Sequence, residues 1–345
     1  MTAWTADHIP DQQGRIAVVT GANSGLGLVT ATELARHGAH VILAVRNTTA
    51  GEQAARKIAE DASRRIAEEQ AARRTSGETA ARRTGEEKTV SRTTDEDVAR
   101  RTVGEVEVRE LDLASLDSVR AFAAKLTADH PAIDLLVNNA GVVLLGPRRT
   151  SADGFELQFA TNMLGHFALT GLLLDTLAAG SQPRVVSLSS ITHKSAHLDF
   201  DDLMFEHDYR ATTAYGRSKL ATTVFGIELD RRLRAAGSPI VSTLAHPGLT
   251  RTNLTPRAWE HRGRLGRLIA RLGLLATQSV EQGALPQLHA ATAPGVRGGQ
   301  FFGPSHLWET LGPVTQARLS REATDPTVAK RLWMAAEKLT GVSYL

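Results

Sequence analysis

The chain has 345 residues, of which 42% are hydrophobic and 22% are charged, and its formal net charge is +3. These values are typical of a soluble globular protein large enough for one extended α/β domain. Cysteine is absent, which excludes disulfides, thiolate nucleophiles and thiolate metal sites. Residues 1–13 lack the apolar core of a signal peptide and no run of about 18 apolar residues occurs, so we expect a cytoplasmic protein without a transmembrane segment.

The first element in chain order is a buried strand that leads directly into a glycine-rich turn. Residues 16–20 form a short apolar run, residues 21–27 read Gly-Ala-Asn-Ser-Gly-Leu-Gly, and a helical pattern continues to Leu34. Glycines permit close backbone approach, and a helix N-terminus presents free N–H groups to a pyrophosphate. An ordinary βα turn is the alternative, but the flanking strand and helix favour a nucleotide site. Its predicted members are Gly21, Asn23, Ser24, Gly25, Leu26 and Gly27.

Arg46 follows the second predicted strand, residues 40–45. In dinucleotide-binding folds, the end of this strand faces the adenosine ribose. An acidic residue there would accept hydrogen bonds from a 2′-hydroxyl, whereas a guanidinium suits a 2′-phosphate. We therefore expect NADP(H) to be preferred, with NAD(H) as the second cofactor. The alternative is a solvated surface arginine.

Residues 61–104 interrupt this pattern with charged, repetitive sequence. The motif at 72–79 is nearly repeated at 81–87 and again from 99 to 105, and the segment carries ten Lys or Arg against nine Asp or Glu. Its few aliphatic residues cannot form a core, so we expect a disordered or helical insertion within a single catalytic domain spanning 1–345. A basic arm for nucleic acid is the alternative, but the interleaved acids and missing aromatics count against it.

The next two strands end in polar residues at what should be the same edge of the sheet. Residues 106–111 lead to Asp112-Leu113, and the Asp112 carboxylate is a candidate partner for the adenine amino group or a helix cap. Residues 133–137 lead to Asn138-Asn139-Ala140-Gly141, a short glycine-ended turn of the kind that close approach to a cofactor requires. Its second asparagine, Asn139, could equally cap its own turn.

Asn162 lies near the middle of a long predicted helix, residues 151–177. Asparagine is a poor helix former, so an interior asparagine needs a reason. A local bend, an exposed position, or a carbonyl that leaves the helical ladder to bind water would each provide one.

Residues 184–190 form the fifth predicted strand and end in Ser189-Ser190. No Gly-x-Ser-x-Gly elbow is present, which argues against a serine hydrolase. A serine at this end of a strand can donate a hydrogen bond to a substrate oxygen. Three histidines in the loop that follows lack metal-site spacing, and we interpret them as surface residues. They are His193, His197 and His207.

Tyr215 and Lys219 are four residues apart in the next predicted helix, 214–234, and therefore lie one turn apart on one face. A phenol is a poor acid near neutrality, and an adjacent ammonium favours the phenolate and lowers the phenol's pKa. Such a phenol can donate a proton to a carbonyl or remove one from an alcohol. Because Tyr-x-x-x-Lys is common on helix surfaces, the spacing alone is weak evidence.

The sixth predicted strand, 239–244, is followed by Pro247-Gly248 and Thr252. Residues 249–278 then alternate arginines with leucines in a basic amphipathic pattern. We interpret this segment as a flap over a substrate cleft, with contact to a membrane surface as the alternative.

These pieces, in this order, resemble the short-chain dehydrogenase/reductase family, and within it the retinol-dehydrogenase-like and protochlorophyllide-reductase-like branch. The resemblance implies a Rossmann-type, doubly wound α/β fold with a seven-stranded parallel sheet and helices on both faces. It also implies a catalytic tetrad, a nicotinamide-anchoring segment and assembly as a homodimer or homotetramer. The tetrad is Asn162, Ser190, Tyr215 and Lys219, and the anchoring segment is Pro247, Gly248 and Thr252. Cofactor contacts are further implied for Asp112, Leu113, Asn139, Ala140, Gly141, Tyr215 and Lys219.

The implied reaction is hydride transfer between NADP(H) and a carbonyl or alcohol, with Tyr215 as the general acid or base. The apolar flap predicts a small hydrophobic alcohol, aldehyde or ketone, and no nucleic-acid partner or metal is expected. A non-catalytic NADP(H) sensor on the same fold is the alternative from another class, although an intact tyrosine and lysine count against it.

Overall fold

A sheet of eight strands lies at the centre of the part of the chain described in this computed structural model, which comprises residues 3–61, 63–64, 67–68, 103–250 and 277–345. The strand order is β3-β2-β1-β4-β5-β6-β7-β8, with parallel pairing throughout except between β7 and β8. The strands are β1 Ile16–Thr20, β2 His40–Val45, β3 Val106–Glu110, β4 Leu135–Asn138, β5 Arg184–Leu188, β6 Val241–Ala245, β7 Phe301–His306 and β8 Leu311–Gln316.

Helices cover both faces of the sheet. They are α1 Gly25–Arg36, α2 at 48–61, α3 Leu116–Asp129, α4 with segments Leu157–Phe159, Ala160–Leu164 and Gly165–Leu172, α5 Leu174–Ala178, α6 Ala211–Ala235, α7 Val280–Thr292 and α8 Pro326–Thr340. One core contains Val18 and Ile42 together with residues of α3, α4, α6 and α8. The other contains Val19 and Leu43 together with residues of α1, α2 and α7. Adjacent strand residues thus enter opposite cores, as the period of two requires.

The position of β1 determines where a ligand can bind. It pairs in parallel with β2 on one side and with β4 on the other. Successive strands are therefore added on one side of β1 up to β3 and on its other side from β4 onwards. A crevice opens beyond the carboxyl ends of the strands at such a switch point. The turns after β1, β4, β5 and β6 all lie at this edge.

The predicted Rossmann-type architecture is confirmed, and the seven parallel strands that the resemblance implies are present as β1 to β7. The described residues add an eighth strand, β8, which is antiparallel and at the edge of the sheet. Its residues are only half-buried or exposed, so the sequence Leu-Gly-Pro-Val-Thr-Gln carries no apolar run that would predict it.

The predicted helix 151–177 is wrong at its start and in its continuity. Residues 151–156 are not helical, and a π-helical segment, Ala160–Leu164, interrupts α4. The charged segment 61–104 lies largely outside the described residues, as does 251–276 of the predicted flap.

None of the helices in the described ranges is both long and apolar enough to cross a membrane. Within those same ranges, no group of three or more His, Asp or Glu side chains is placed to hold a metal ion.

Candidate active site

The glycine-rich turn between β1 and α1 leaves open space beside a helix N-terminus. Gly21 and Gly25 have φ values of 66° and 57°, in the left-handed region that favours glycine. A Cβ on Gly27 would collide with the Asn139 side chain, whereas a Cβ on Gly25 would meet nothing within 4 Å. Ser24, the N-cap residue of α1, makes no capping hydrogen bond through its side chain. The first N–H groups of α1 therefore border a space that fits a pyrophosphate.

Thr20 joins the end of β1 to the turn after β4. Its hydroxyl oxygen accepts hydrogen bonds from the main-chain N–H groups of Asn139 at 3.0 Å and Ala140 at 2.9 Å. The Asn139 side chain donates in return to the Thr20 carbonyl oxygen at 2.7 Å. Asn139 thus fixes the two turns together, and its amide does not cap its own turn.

Asn162 is buried within the π-helical segment of α4. Its Oδ1 accepts from the Val142 N–H at 2.8 Å, and its Nδ2 donates to the Val142 carbonyl at 3.1 Å and to Ser218 Oγ at 2.9 Å. Its own carbonyl accepts a hydrogen bond from Thr222 Oγ1 at 3.1 Å. Of the three alternatives, a local change of helix geometry describes this residue, and the exposed position is wrong. The side chain holds the chain that follows β4 against α6.

The Tyr215 side chain, in the first turns of α6, interacts with that of Ser190, which lies two residues after β5. Burial raises the pKa of Tyr215 above its ordinary value, and the interaction with Ser190 opposes part of this shift. The sequence predicts a pKa lowered by Lys219, so the direction is the reverse of that expectation. Desolvation disfavours the phenolate more than the surroundings stabilise it. Tyr215 is therefore protonated at neutral pH and suited to donate a proton.

Lys219 lies one turn further along α6, with its ammonium group fully enclosed. Nζ donates to the Leu188 carbonyl at 2.8 Å, and burial lowers the Lys219 pKa to about 8. A Cβ on Gly141 would lie 3.3 Å from Lys219 Nζ and 3.3 Å from Asn162 Oδ1. Gly141 therefore allows the turn after β4 to reach both side chains.

The two serines after β5 have different partners. Ser189 Oγ donates to the Lys219 carbonyl at 3.1 Å and lies 2.7 Å from Thr223 Oγ1, which ties β5 to α6. Ser190, in contrast, interacts with the Tyr215 side chain. The choice of Ser190 for the tetrad stays a prediction.

The prediction that His193 is a surface residue is wrong. It lies fully buried in a 3₁₀ helix, Ile191–Ser195, and its Nδ1 is 2.7 Å from the Ser190 carbonyl oxygen. Its ring packs edge-on against Phe301 of β7. The loop folds back onto the sheet, which its polar sequence did not reveal. His197 and His207 are exposed, as predicted.

Three residues predicted at the adenosine end have different environments. The Arg46 side chain is exposed directly after β2. The Asp112 carboxylate accepts a hydrogen bond from the Ala114 N–H at 2.9 Å, while Ser115 caps α3. The Leu113 side chain is buried in the core, so a cofactor contact by this residue would have to involve its main chain.

Pro247 and Gly248 follow β6 at the opposite end of the crevice. Gly248 has a φ of 64°, and a Cβ on it would collide with the Thr310 carbonyl. The next residue, Leu249, donates its N–H to the same carbonyl at 2.8 Å. Thr250 forms a parallel bridge with Gln278, so the two ends of the predicted flap meet. Thr252 lies outside the described residues.

Several buried polar residues at the site were missed by the sequence interpretation. His166 lies between Thr20 and the Asn162 carbonyl, and Gln287 of α7 lies 3.3 Å from Asn139 Oδ1. His166 follows Asn162 by four residues, a spacing that could have indicated a shared face. Gln287 offers no such signal, because only the packing of α7 on α1 brings it near.

A parallel sheet whose strand order reverses at a glycine-rich turn, with a tyrosine and a serine near a buried lysine, is the arrangement expected of a nicotinamide-dependent dehydrogenase. The sequence profile of the short chain dehydrogenase family matches residues 15–81 and 70–263. The chain belongs to the short-chain dehydrogenase/reductase family, and it is an NAD(P)-dependent oxidoreductase acting on CH–OH or C=O groups.

Individual relatives are similar over nearly the whole chain. Retinol dehydrogenase 13 of Homo sapiens is 37% identical over 338 residues, which cover 95% of this chain and 85% of that protein. Polyprenol dehydrogenase of Mus musculus is 36% identical, covering 96% and 86%. A crystal structure of an uncharacterized protein from Mycobacterium paratuberculosis is 37% identical, covers 100% of both chains, and superposes with a TM-score of 0.73. These similarities confirm the predicted retinol-dehydrogenase-like branch.

Proposed function

We propose that the protein is an NADP(H)-dependent reductase of hydrophobic aldehydes or ketones, with Tyr215 as the proton donor. The observation that carries the proposal is the buried Lys219 ammonium, whose Nζ donates to the Leu188 carbonyl, one turn from a Tyr215 phenol that interacts with the Ser190 side chain. The nicotinamide cofactor supplies the hydride when bound. The turn from Gly21 to Gly27 would hold its pyrophosphate.

Tyr215 and Ser190 act on the substrate oxygen in this proposal. Ser190 donates a hydrogen bond to the carbonyl oxygen and so orients the substrate. Tyr215 gives up its phenolic proton as negative charge develops on that oxygen. The raised pKa of Tyr215 supports this direction of reaction, because the phenol remains protonated at neutral pH.

Lys219 and Asn162 act on the groups around the tyrosine. The Lys219 ammonium stabilises the tyrosinate that proton donation leaves behind, and it can bind a ribose hydroxyl. Its pKa of about 8 means that most of the charge is present at neutral pH. Asn162 maintains the spacing between the turn after β4 and α6 through Val142 and Ser218. The water relay that the resemblance implies for Asn162 would share the carbonyl that Thr222 binds.

Exposed apolar side chains around the carboxyl edge of the sheet support a hydrophobic substrate. Leu145 follows β4, Leu249 follows β6, and Leu307 and Trp308 follow β7. Among the described residues these account for four of the six exposed large hydrophobic side chains. Retinol and polyprenol, named for two relatives, are hydrophobic alcohols.

Replacement of Tyr215 by phenylalanine tests the proposed chemistry. We expect Tyr215→Phe to lower kcat for aldehyde reduction by about a hundredfold or more, because the proton donor is removed. NADPH binding should be retained, since the ring and its packing remain. The measurement is NADPH oxidation with a panel of apolar aldehydes and ketones, beside NADPH fluorescence titration.

Tyr209→Phe is the matched control. The Tyr209 hydroxyl donates to Glu156 Oε1 at 3.2 Å and accepts from Gln158 Nε2 at 3.2 Å. Neither partner belongs to the proposed tetrad, so loss of this hydroxyl should leave turnover near the wild-type value. An active Tyr215→Phe enzyme would contradict the mechanism. Wild-type protein that binds NADPH tightly but reduces no carbonyl would favour the sensor alternative.

A further inference from the structure

The turn between β7 and β8 contains three successive residues in an unfavourable backbone conformation. Leu307, Trp308 and Glu309 have φ values of 45°, 61° and 65°, in the left-handed region that non-glycine residues rarely adopt. Such a conformation persists only where surrounding contacts hold it. Leu307 and Trp308 are exposed, whereas the Glu309 carboxylate is turned inward and makes several polar contacts.

The first contact of Glu309 reaches the segment that carries Ser190. Glu309 Oε2 accepts a hydrogen bond from Lys194 Nζ at 2.6 Å. Lys194 belongs to the 3₁₀ helix Ile191–Ser195, and Ser190 is the N-cap residue of that helix. The carboxylate therefore holds the far end of the short helix whose beginning fixes the Ser190 hydroxyl.

The second contact reaches the segment after β6 through a buried ring. His246 Nε2 lies 3.2 Å from Glu309 Oε2, and the Gly248 N–H donates to His246 Nδ1 at 3.3 Å. A neutral imidazole with its hydrogen on Nε2 satisfies both partners at once. His246 is fully buried, so its ring transmits the position of Glu309 to the backbone of Gly248.

The carboxylate is held firmly in its charged form. Burial alone would raise the Glu309 pKa, but the hydrogen bonds from His246 and Lys194 outweigh this and lower the pKa to about 2. Glu309 Oε1 also accepts from the Arg318 N–H at 3.1 Å, which secures the side chain from the other direction. One carboxylate thus joins β8, the Ser190 segment and the Pro247–Gly248 segment.

We propose that Glu309 is a positioning residue that fixes Ser190 and the Pro247–Gly248 segment relative to each other, an inference that rests on the proposed function. The Lys194 contact governs how Ser190 meets the carbonyl. The His246 contact governs how the segment after β6 meets the nicotinamide end of the cofactor. Glu309 itself touches neither substrate nor cofactor.

The Lys194 and His246 contacts of Glu309 can be tested separately, because the first affects the substrate carbonyl and the second affects the cofactor. We expect Glu309→Leu to raise the NADPH Kd about tenfold and to lower kcat for decanal about tenfold, since small displacements of positioned groups have large kinetic effects. Lys194→Met should lower kcat similarly while leaving the NADPH Kd within about twofold, because it removes only the Ser190 arm. Fluorescence titration with NADPH gives Kd without reference to any substrate, and NADPH oxidation gives kcat.

Glu322→Leu is the matched control for a merely structural effect. The Glu322 carboxylate also contacts the loop between β5 and α6, but beyond the 3₁₀ helix. It lies 3.0 Å from His197 Nδ1 and accepts a hydrogen bond from the Leu198 N–H at 2.8 Å. Its removal should lower thermal stability while leaving Kd and kcat within about twofold. Wild-type kinetics in folded Glu309→Leu and Lys194→Met would overturn the inference, and if Glu309→Leu does not fold, unchanged kcat in Lys194→Met would overturn it alone. Failure of the wild-type protein to bind NADPH would instead contradict the proposed function itself.

Discussion

The Thr20 hydroxyl is linked by hydrogen bonds to the turn after β4 and, through the buried His166, to the π-helical segment of α4. It accepts from the N–H groups after β4 and lies 3.0 Å from His166 Nε2. His166 Nδ1 lies 3.1 Å from the Asn162 carbonyl oxygen. Because a carbonyl can only accept, Nδ1 carries the ring hydrogen, and Nε2 of the neutral ring accepts from Thr20. This directional chain joins the glycine-rich turn to the π-helical segment.

The neutral state of His166 predicts a pH dependence of stability. Burial lowers the His166 pKa from 6.5 to about 4, so the unfolded chain binds more protons than the folded one between these values. The stabilisation is complete above pH 6.5 and is lost as pH falls towards 4. We expect His166→Gln to reduce the loss of unfolding free energy between pH about 7 and about 4.5 by roughly 2 kcal/mol, measured by urea denaturation.

An exposed histidine provides the comparison for this measurement. His207 lies on the loop after β5 with 84% of its side chain exposed. Because solvent screens its pair with Asp202, His207→Gln should leave most of the wild-type loss of stability at low pH in place. If His166→Gln also retains the full wild-type profile, the buried neutral ring is not the source of the acid sensitivity.

Arg46 is the residue on which the proposed NADP(H) preference depends. Its exposed guanidinium follows β2 at the carboxyl edge of the sheet, where the adenosine ribose is expected. Arg46→Asp should lower the ratio of kcat/KM for NADPH over NADH by about 10- to 100-fold, because a charge-assisted phosphate contact is replaced by repulsion. Steady-state kinetics with both cofactors measure the ratio. Arg56→Asp, an equal charge change on the exposed face of α2, should leave the ratio unaltered.

At the residue scale, the sequence predicted the side chains that are defined by local spacing. Tyr215 and Lys219 share a helix face, Asn139 directly follows β4, and Ser190 is the second residue after β5. It could not predict contacts that arise only when distant elements pack. His193 is polar and surrounded by polar sequence, yet it is buried because β7 lies beside its loop. Glu309 reaches the site from 115 residues beyond Lys194.

Gly27 and Gly216 both lie in helices, but only at Gly27 does close packing require a glycine. A Cβ on Gly27 would collide with the Asn139 side chain, in the turn after β4, and with the Gly21 carbonyl, in the glycine-rich turn. A Cβ on Gly216, next to Tyr215 in α6, would meet Ala196 Cβ at an ordinary 3.4 Å. The same substitution should therefore have opposite effects at the two positions.

We expect Gly27→Ala to abolish measurable NADPH binding, because α1 cannot approach the turn. Gly216→Ala should preserve turnover and stabilise the protein by about 0.5 kcal/mol through helix propensity. Fluorescence titration and urea denaturation measure the two effects. Normal NADPH affinity in Gly27→Ala would show that the turn can adjust, contrary to the packing described.

At the element scale, continuous apolar runs predicted strands such as β1, β2 and β4, which are buried on both faces. The half-buried strand β3 was predicted from its alternating pattern. The prediction was wrong where geometry departs from a regular period. In α4, the π-helical segment Ala160–Leu164 is set by tertiary contacts of Asn162, which no helical pattern encodes. The edge strand β8 lacks an apolar run because it is half-buried.

At the scale of the whole molecule, the two ends of the connection from β2 to β3 are each packed on the sheet by residues outside 69–102. Ile58 of α2 is fully buried, and Gly51 packs against Val45 and Val108. The chain is fixed again at Gly104, whose N–H donates to the Ala35 carbonyl at 2.9 Å. Helix α2 packs on the sheet through Ala54 and Ile58, and every residue of β3 pairs with β2. We therefore expect both contacts to form without residues 69–102.

We therefore propose that residues 69–102 are an insertion in a single catalytic domain and can be removed. Replacement by a Gly/Ser linker of about ten residues, which spans roughly 17 Å as a flexible coil, should leave kcat/KM within about twofold and Tm within about 3 °C. The residues of the proposed tetrad belong to elements on the β4 side of β1, whereas the segment joins β2 to β3 on its other side, so the change is distant from the proposed chemistry. A folded variant with lost activity would show that the segment contributes to the site. Salt-dependent DNA retention that the full chain shows and the shortened chain lacks would instead support the nucleic-acid alternative, because phosphate contacts release counterions.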